Sequence, residues 1–175
     1  MKKHIIPLFG LLFALLCGNA AAEVYQKPAD FLDEVFAGQT PDPKILWLTG
    51  EVREQAGAIL GHPPGMLRVR YWAAGEARSA WILEEIGKEE PITAGFVVAE
   101  GRLEQVKLLV FRESRGWEIR HPFFTDQFTR ARLKGDRDLD RGIDGITGAT
   151  LSVRAMKRLA RLALYLDGQV GDVAP

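Results

Sequence analysis

The chain has 175 residues, 47% hydrophobic and 26% charged, the proportions of a globular domain and not of a disordered or fibrous chain. Its 23 basic and 23 acidic residues cancel, and no basic block with interleaved aromatics occurs, which argues against nucleic acid as a partner.

The N-terminal 22 residues stand apart. Lys2 and Lys3 precede an apolar run from Ile5 to Cys17, and Ala20-Ala21-Ala22 places small residues before Glu23. This is the pattern of a secretory leader cleaved after Ala22. The run falls short of the about 20 residues that cross a bilayer; an uncleaved anchor helix is the alternative. Leu16 stands before Cys17 where a lipobox wants a small residue, which speaks against lipidation. Cleavage removes Lys2, Lys3 and Cys17, leaving 21 basic against 23 acidic residues, net −2, and no cysteine for disulfide, thiol redox or cysteine–metal chemistry. The expected location is periplasmic.

From 23 to 65 the pattern predicts a short helical segment. Phe31, Leu32, Val35 and Phe36 share one helical face, and Gly38 with Pro41-Asp42-Pro43 ends it. A second helix, with Thr49 as its cap, runs through Glu54 to Ile59, and Gly61-His62-Pro63-Pro64-Gly65 marks a boundary. A period of two follows. Leu67, Val69 and Tyr71 alternate with Arg68 and Arg70; Ser79–Ile86, Ile92–Ala99 and Leu103–Phe111 are three further strands joined by short turns. Together they make an antiparallel β-meander of about four strands. Phe123, Phe124, Phe128 and Leu133 suggest a short helix, 134–145 a charged loop, and Ala149 to Leu166 a long helix. Leu151, Ala155, Leu159, Leu162 and Leu166 form its apolar face, with Arg154, Lys157, Arg158 and Arg161 opposite. The expected class is α+β, with a main domain over 66–167 and a tail over 168–175. Trp47, Trp72 and Trp81 read as core residues.

The stretch Asp144-Gly145-Ile146-Thr147-Gly148-Ala149-Thr150 runs from a small-residue loop into a helix start. Such an end offers unpaired N–H groups and partial positive charge, favourable to a phosphate. Two readings stand on physical grounds: a phosphate site, or Thr147 or Thr150 as an ordinary helix cap.

The same stretch resembles the flavinylation motif D-x-x-[S/T]-G-A-T of the FMN-binding domain family, matching at Asp144, Thr147, Gly148, Ala149 and Thr150. That family includes the covalent-flavin subunits of sodium-pumping NADH:quinone reductase and of the related Rnf electron-transport complex. The resemblance covers roughly residues 90–166 and does not extend to the N-terminal third. It implies FMN held through its phosphate on Thr150, attached by a separate flavin transferase that draws FMN from FAD. It also implies membrane or periplasmic redox partners that carry haem or flavin, such as multihaem cytochromes. A threonine hydroxyl is a poor nucleophile without an adjacent base or metal, and no serine–histidine–acid set lies near Thr150 in sequence. Asp144 serves either recognition by the transferase or the capping of the preceding turn.

In the family a glycine-containing turn lies beside the flavin ring. Glu113-Ser114-Arg115-Gly116-Trp117 occupies the matching place, departing from the usual E-T-x-G form at Ser114. Its N–H groups would meet the ring's polar edge, with Trp117 either stacked on the flavin or part of the core. Arg154 and Arg158 are candidate phosphate contacts or a solvated helix face. The resulting expectation is an exported electron-transfer flavoprotein. A small flavin reductase using Glu113 or His121 as proton donor, and a module binding FMN noncovalently, are the alternatives.

Overall fold

The computed structural model describes residues 22–75, 78–135 and 137–171. The leader expected over 1–22, with Cys17, lies outside the described residues except at Ala22, as does the end of the tail from 172.

The alternating segments form β3 (Arg68–Ala74), β4 (Arg78–Ile86), β5 (Pro91–Ala99) and β6 (Arg102–Phe111), each antiparallel to the next. The sheet has six strands in the order β1-β6-β5-β4-β3-β2, not about four. The additional strands are its edges: β1 (Glu23–Val24) pairs with the end of β6, and β2 (Lys44–Trp47) pairs with β3. Both are short and largely exposed, so neither carries the alternation by which strands are read. Both come from the segment before Gly61, which therefore supplies the two sheet edges.

Four α-helices accompany the sheet: α1 (Pro28–Val35), α2 (Gly50–Leu60), α3 (Pro122–Thr125) and α4 (Thr150–Gly171). The architecture is α+β. Its distinctive strand is β5, where seven consecutive residues are buried because both sheet faces are covered. Ile92, Ala94, Phe96 and Val98 join the core beneath α4 and α2. Val97 faces the other way, into a smaller core with Phe31, Leu32, Val35 and Leu109 under α1. Gly95 is small because the Phe31 ring lies on it: a β-carbon there would stand 2.6 Å from the ring.

α4 packs on β4, β5 and α2 through Ala155, Met156, Leu159, Leu162, Ala163 and Leu166. Leu151 is exposed instead, because it lies in the first turn, beyond the cover of the sheet. A polar tie fixes the helix from its far end: Trp81 donates its indole N–H to Ser79 Oγ at 2.7 Å, and Ser79 donates to Asp167 at 2.5 Å. Burial raises the Asp167 carboxyl above the usual carboxylate range, against the lowering effect of the Ser79 bond.

Trp81 is fully buried and stacks on Tyr71 at 4.9 Å. Trp47 is 56% exposed on the edge strand, with the Arg68 guanidinium over its ring, and is not a core residue. The phenylalanine-rich stretch is also less helical than expected. α3 has only one turn, flanked by 3-10 turns at Trp117–Arg120 and Asp126–Phe128. Phe124 and Phe128 are buried edge to face, whereas Phe123 is 62% exposed. The charged loop after it contains a small hairpin, β7 (Leu133–Lys134) with β8 (Asp138–Leu139).

Among the described residues no helix is long and apolar enough to cross a membrane, and no His, Cys, Asp or Glu cluster is arranged to hold a metal ion.

Candidate functional site

The motif loop reaches its helix through a tight turn. The Ile146 carbonyl accepts from the Ala149 N–H at 3.0 Å, closing four residues whose third, Gly148, has φ +86°. That conformation strains any L side chain, so glycine is required here by backbone angle; open space surrounds the position. Upstream, Ile143 is buried and the Asp144 N–H donates to Gln127 Oε1 at 2.7 Å, which pins the loop to the α3 region.

α4 then begins at Thr150. Ala149 is buried in the cap position, and its carbonyl accepts from the Val153 N–H at 2.9 Å. An alanine side chain offers no acceptor, so the first-turn N–H groups receive no side-chain cap from it. Thr147 and Thr150 are exposed, and neither hydroxyl has a hydrogen-bond partner among the described residues. Of the two readings of this helix start, capping by a threonine is not the one observed. The Asp144 carboxylate is exposed as well and caps nothing among the described residues.

The turn after β6 has a different logic. Glu113 Oε1 accepts the backbone N–H groups of Lys88, Glu89 and Glu90, the last two at 2.7 and 3.0 Å. The carboxylate thus closes the β4–β5 turn, and Gly87 makes room, since a β-carbon there would stand 2.8 Å from Oε1. Burial raises the Glu113 pKa, but the N–H groups of Glu90, Glu89 and Lys88 outweigh it and hold the carboxyl below its ordinary range. Glu113 is therefore an ionised structural clamp. Three residues on, Gly116 has φ +93° and lies against the start of α4. A β-carbon there would stand 2.5 Å from Ser152 Oγ and 3.4 Å from Ala149 Cβ.

These contacts bring the two candidate segments together. A cleft of about 450 Å³ is lined by Lys88, Glu113, Ser114 and Arg115 on one side and by Gly148 through Ser152 on the other. On the opposite side of Thr150 lies a larger cleft of about 820 Å³, between α4 and the β7–β8 hairpin. It is lined by Lys134, Arg141, Arg154, Lys157 and Arg161 together with Asp138 and Asp140. Thr150 lines both.

Three candidates lie elsewhere. Trp117 lines neither of these clefts; it is exposed, with the Arg120 guanidinium 4.8 Å from its ring centre and His121 edge-on at 5.6 Å. It is not core, and it is not placed for stacking within either of these clefts. His121 is stacked beside Phe123 and lines neither cleft. Arg158 lines neither cleft; it flanks the Arg154 stripe of α4, approaches the buried Glu85 at 3.9 Å and lies against Gly61. Lys134, Lys157 and Arg161 were not legible as site residues. The signal for Lys157 and Arg161 is the spacing Thr150, Arg154, Lys157, Arg161, which is i, i+4, i+7, i+11 and so one stripe of a helix; Lys134, on the hairpin, had none.

A family model described as the FMN-binding domain matches residues 87–165. No curated protein and no solved structure matches the chain.

Proposed function

With residues 87–165 belonging to the FMN-binding domain family, and FMN as the cofactor that this domain indicates, we propose that the protein is an exported electron-transfer flavoprotein carrying FMN as a phosphoester on Thr150. The residues present fit such a group. Thr150 offers a free hydroxyl at a helix start whose cap position is an alanine, and the glycine turn before it leaves open space around Gly148. Helix N-termini of this kind favour phosphate. The cleft shared by the Glu113–Arg115 turn and the first turn of α4 is of the size that takes flat cofactor rings, about 300–1,000 Å³.

FMN supplies the redox chemistry when bound; the chain supplies attachment and positioning. In the attachment step the Thr150 oxygen bonds to phosphorus as the pyrophosphate of FAD is cleaved and AMP departs. No base is hydrogen-bonded to the hydroxyl among the described residues, so the proton passes to a flavin transferase. Asp144, six residues upstream with its carboxylate exposed and unengaged among the described residues, is suited to recognition by that enzyme. Electrons then pass between haem or flavin partners at the membrane or in the periplasm.

The observation that carries this reading is the position of Thr150, at the junction of two clefts and inside the family-matched stretch. Of the two proton donors that a stand-alone reductase would use, Glu113 is held ionised by three N–H groups and His121 lines neither cleft, which favours the relay over direct reduction of a soluble acceptor. Coproduction with a flavin transferase in an exporting host tests it: the intact mass should correspond to residues 23–175 plus one FMN less water. An unmodified mass under those conditions rejects the covalent reading.

A further inference from the structure

The geometry points to a phosphate-binding site in the cationic cleft between α4 and the β7–β8 hairpin, one that holds FMN noncovalently by its phosphate against Thr150. This deepens the flavin reading and rests on it. The cleft is lined by five cationic side chains against two acidic ones. Three of the cations stand on one stripe of α4, Arg154, Lys157 and Arg161, and the stripe ends on Thr150. The fourth, Lys134, faces them from the hairpin.

Not all of this charge is free. Arg141 donates to the Thr129 and Arg130 carbonyls and pairs with Asp140. Arg161 donates to the Arg137 and Lys157 carbonyls and lies 3.6 Å from Asp138. Lys157 makes one long bond, 3.4 Å to the Ile143 carbonyl. Lys134 and Arg154 have no hydrogen bond or ion pair among the described residues. Charge is thus left over on the stretch nearest Thr150.

That placement runs against the helix's own electrostatics. The first turn of α4 contains no acidic residue, and its cations crowd toward the end that already carries the positive pole. Such an arrangement is unfavourable in isolation and becomes favourable once an anion sits at the helix start. A phosphate on or beside the Thr150 oxygen is that anion. It would meet the first-turn N–H groups, Arg154 and Lys157 one and two turns along the helix, and Lys134 across the cleft. The flavin ring is then free to occupy the smaller cleft on the other side of Thr150.

A flavin titration tests the site, using full-length protein made in a host without a flavin transferase and reading the quenching of flavin fluorescence. FMN is expected to bind at least about tenfold more tightly than riboflavin at low salt, and inorganic phosphate should compete with FMN alone. High salt should erase the difference. The triple substitution Lys134→Ala, Arg154→Ala and Lys157→Ala should bind FMN no better than riboflavin while keeping the wild-type circular dichroism and melting temperature. Arg158→Ala, a cation of the same helix that lies outside the cleft against Glu85, should keep the preference. Equal binding of the two flavins by the wild type overturns the assignment. So does a preference that survives the triple substitution and falls with Arg115→Ala, which places the phosphate in the other cleft. Covalent FMN on coproduction with a transferase, without noncovalent FMN binding, overturns this site alone. Absence of both rejects the flavin reading with it.

Discussion

Gly116 and Ser152 are packed so closely that a β-carbon on the first would stand 2.5 Å from the hydroxyl oxygen of the second. This contact joins the turn after β6 to the start of α4 and so fixes the width of the smaller cleft. Gly116→Ala should cost about 2–4 kcal/mol, combining a left-handed backbone with overpacking. Urea unfolding should show the loss, and adding Ser152→Ala should recover the overpacking part but not the backbone part. A Gly116→Ala protein as stable as the wild type would mean that the turn relaxes away from α4.

Asp144 separates recognition from folding. Its backbone N–H is bonded to Gln127, but its carboxylate is engaged by nothing among the described residues. Asp144→Ala should therefore leave stability within about 0.5 kcal/mol of the wild type. Flavin loading by a transferase should nevertheless fall several-fold. Unchanged loading, read by intact mass after a fixed reaction time, removes Asp144 from the recognition role.

The parts of this molecule that were legible in the sequence are those whose signal is local. β3, β4 and β6 show alternation, and the motif from Asp144 to Thr150 is contiguous. β2 was missed because a four-residue edge strand buries too little to impose a pattern, and Trp47 misled because an edge strand leaves even a tryptophan exposed. The hairpin after Leu133 was hidden by its charge. Glu113 looked like chemistry because acids near a cofactor often are. Its actual task depends on three N–H groups from the β4–β5 turn, which adjacent residues do not reveal. The cationic cleft was illegible for a similar reason: a charged helix face reads as solvated until the hairpin that covers it is placed.

Stability should depend on pH through His62. Its ring lies 3.0 Å from the Pro63 carbonyl and 3.1 Å from the buried Glu85 carboxylate. The Pro63 bond and then the Glu85 bond raise its pKa, against burial and the nearby Arg158. A raised folded-state pKa means that protonation favours the fold. The contribution is complete below the ordinary histidine range and is lost as pH rises through the raised value. The side chain is 46% exposed, so water screens the pair and the effect is small. The stability difference between wild type and His62→Gln should be larger at pH 5.5 than at pH 8.5. A difference that is constant, or that grows with pH, contradicts the pairing.

Thr150 is the most informative position, because its structural and chemical roles come apart cleanly. It is the first residue of α4, exposed, with Ala149 in the cap position and no partner for its own hydroxyl among the described residues. Losing a true capping hydroxyl costs about 0.5–2 kcal/mol; here that bond is absent, so Thr150→Val should cost less, within about 0.5 kcal/mol as at other surface sites. Valine keeps the β-branched shape and removes the only atom that can form the ester. Covalent flavin should therefore vanish from a protein that melts where the wild type does. In the wild type, flavin should survive acid denaturation, and trypsin should release it on the peptide that begins at Gly142 and ends at Arg154. That peptide contains Thr147 as well, so fragmentation must place the added mass on Thr150. Mass on Thr147, or on a peptide lacking both, would defeat the assignment. Because Arg154 lies one helical turn from the ester, its cleavage by trypsin should also be slower in the flavinylated protein than in the apoprotein. If FMN still copurifies with Thr150→Val and dissociates in acid, the clefts bind flavin on their own, and the ester serves to retain it after export.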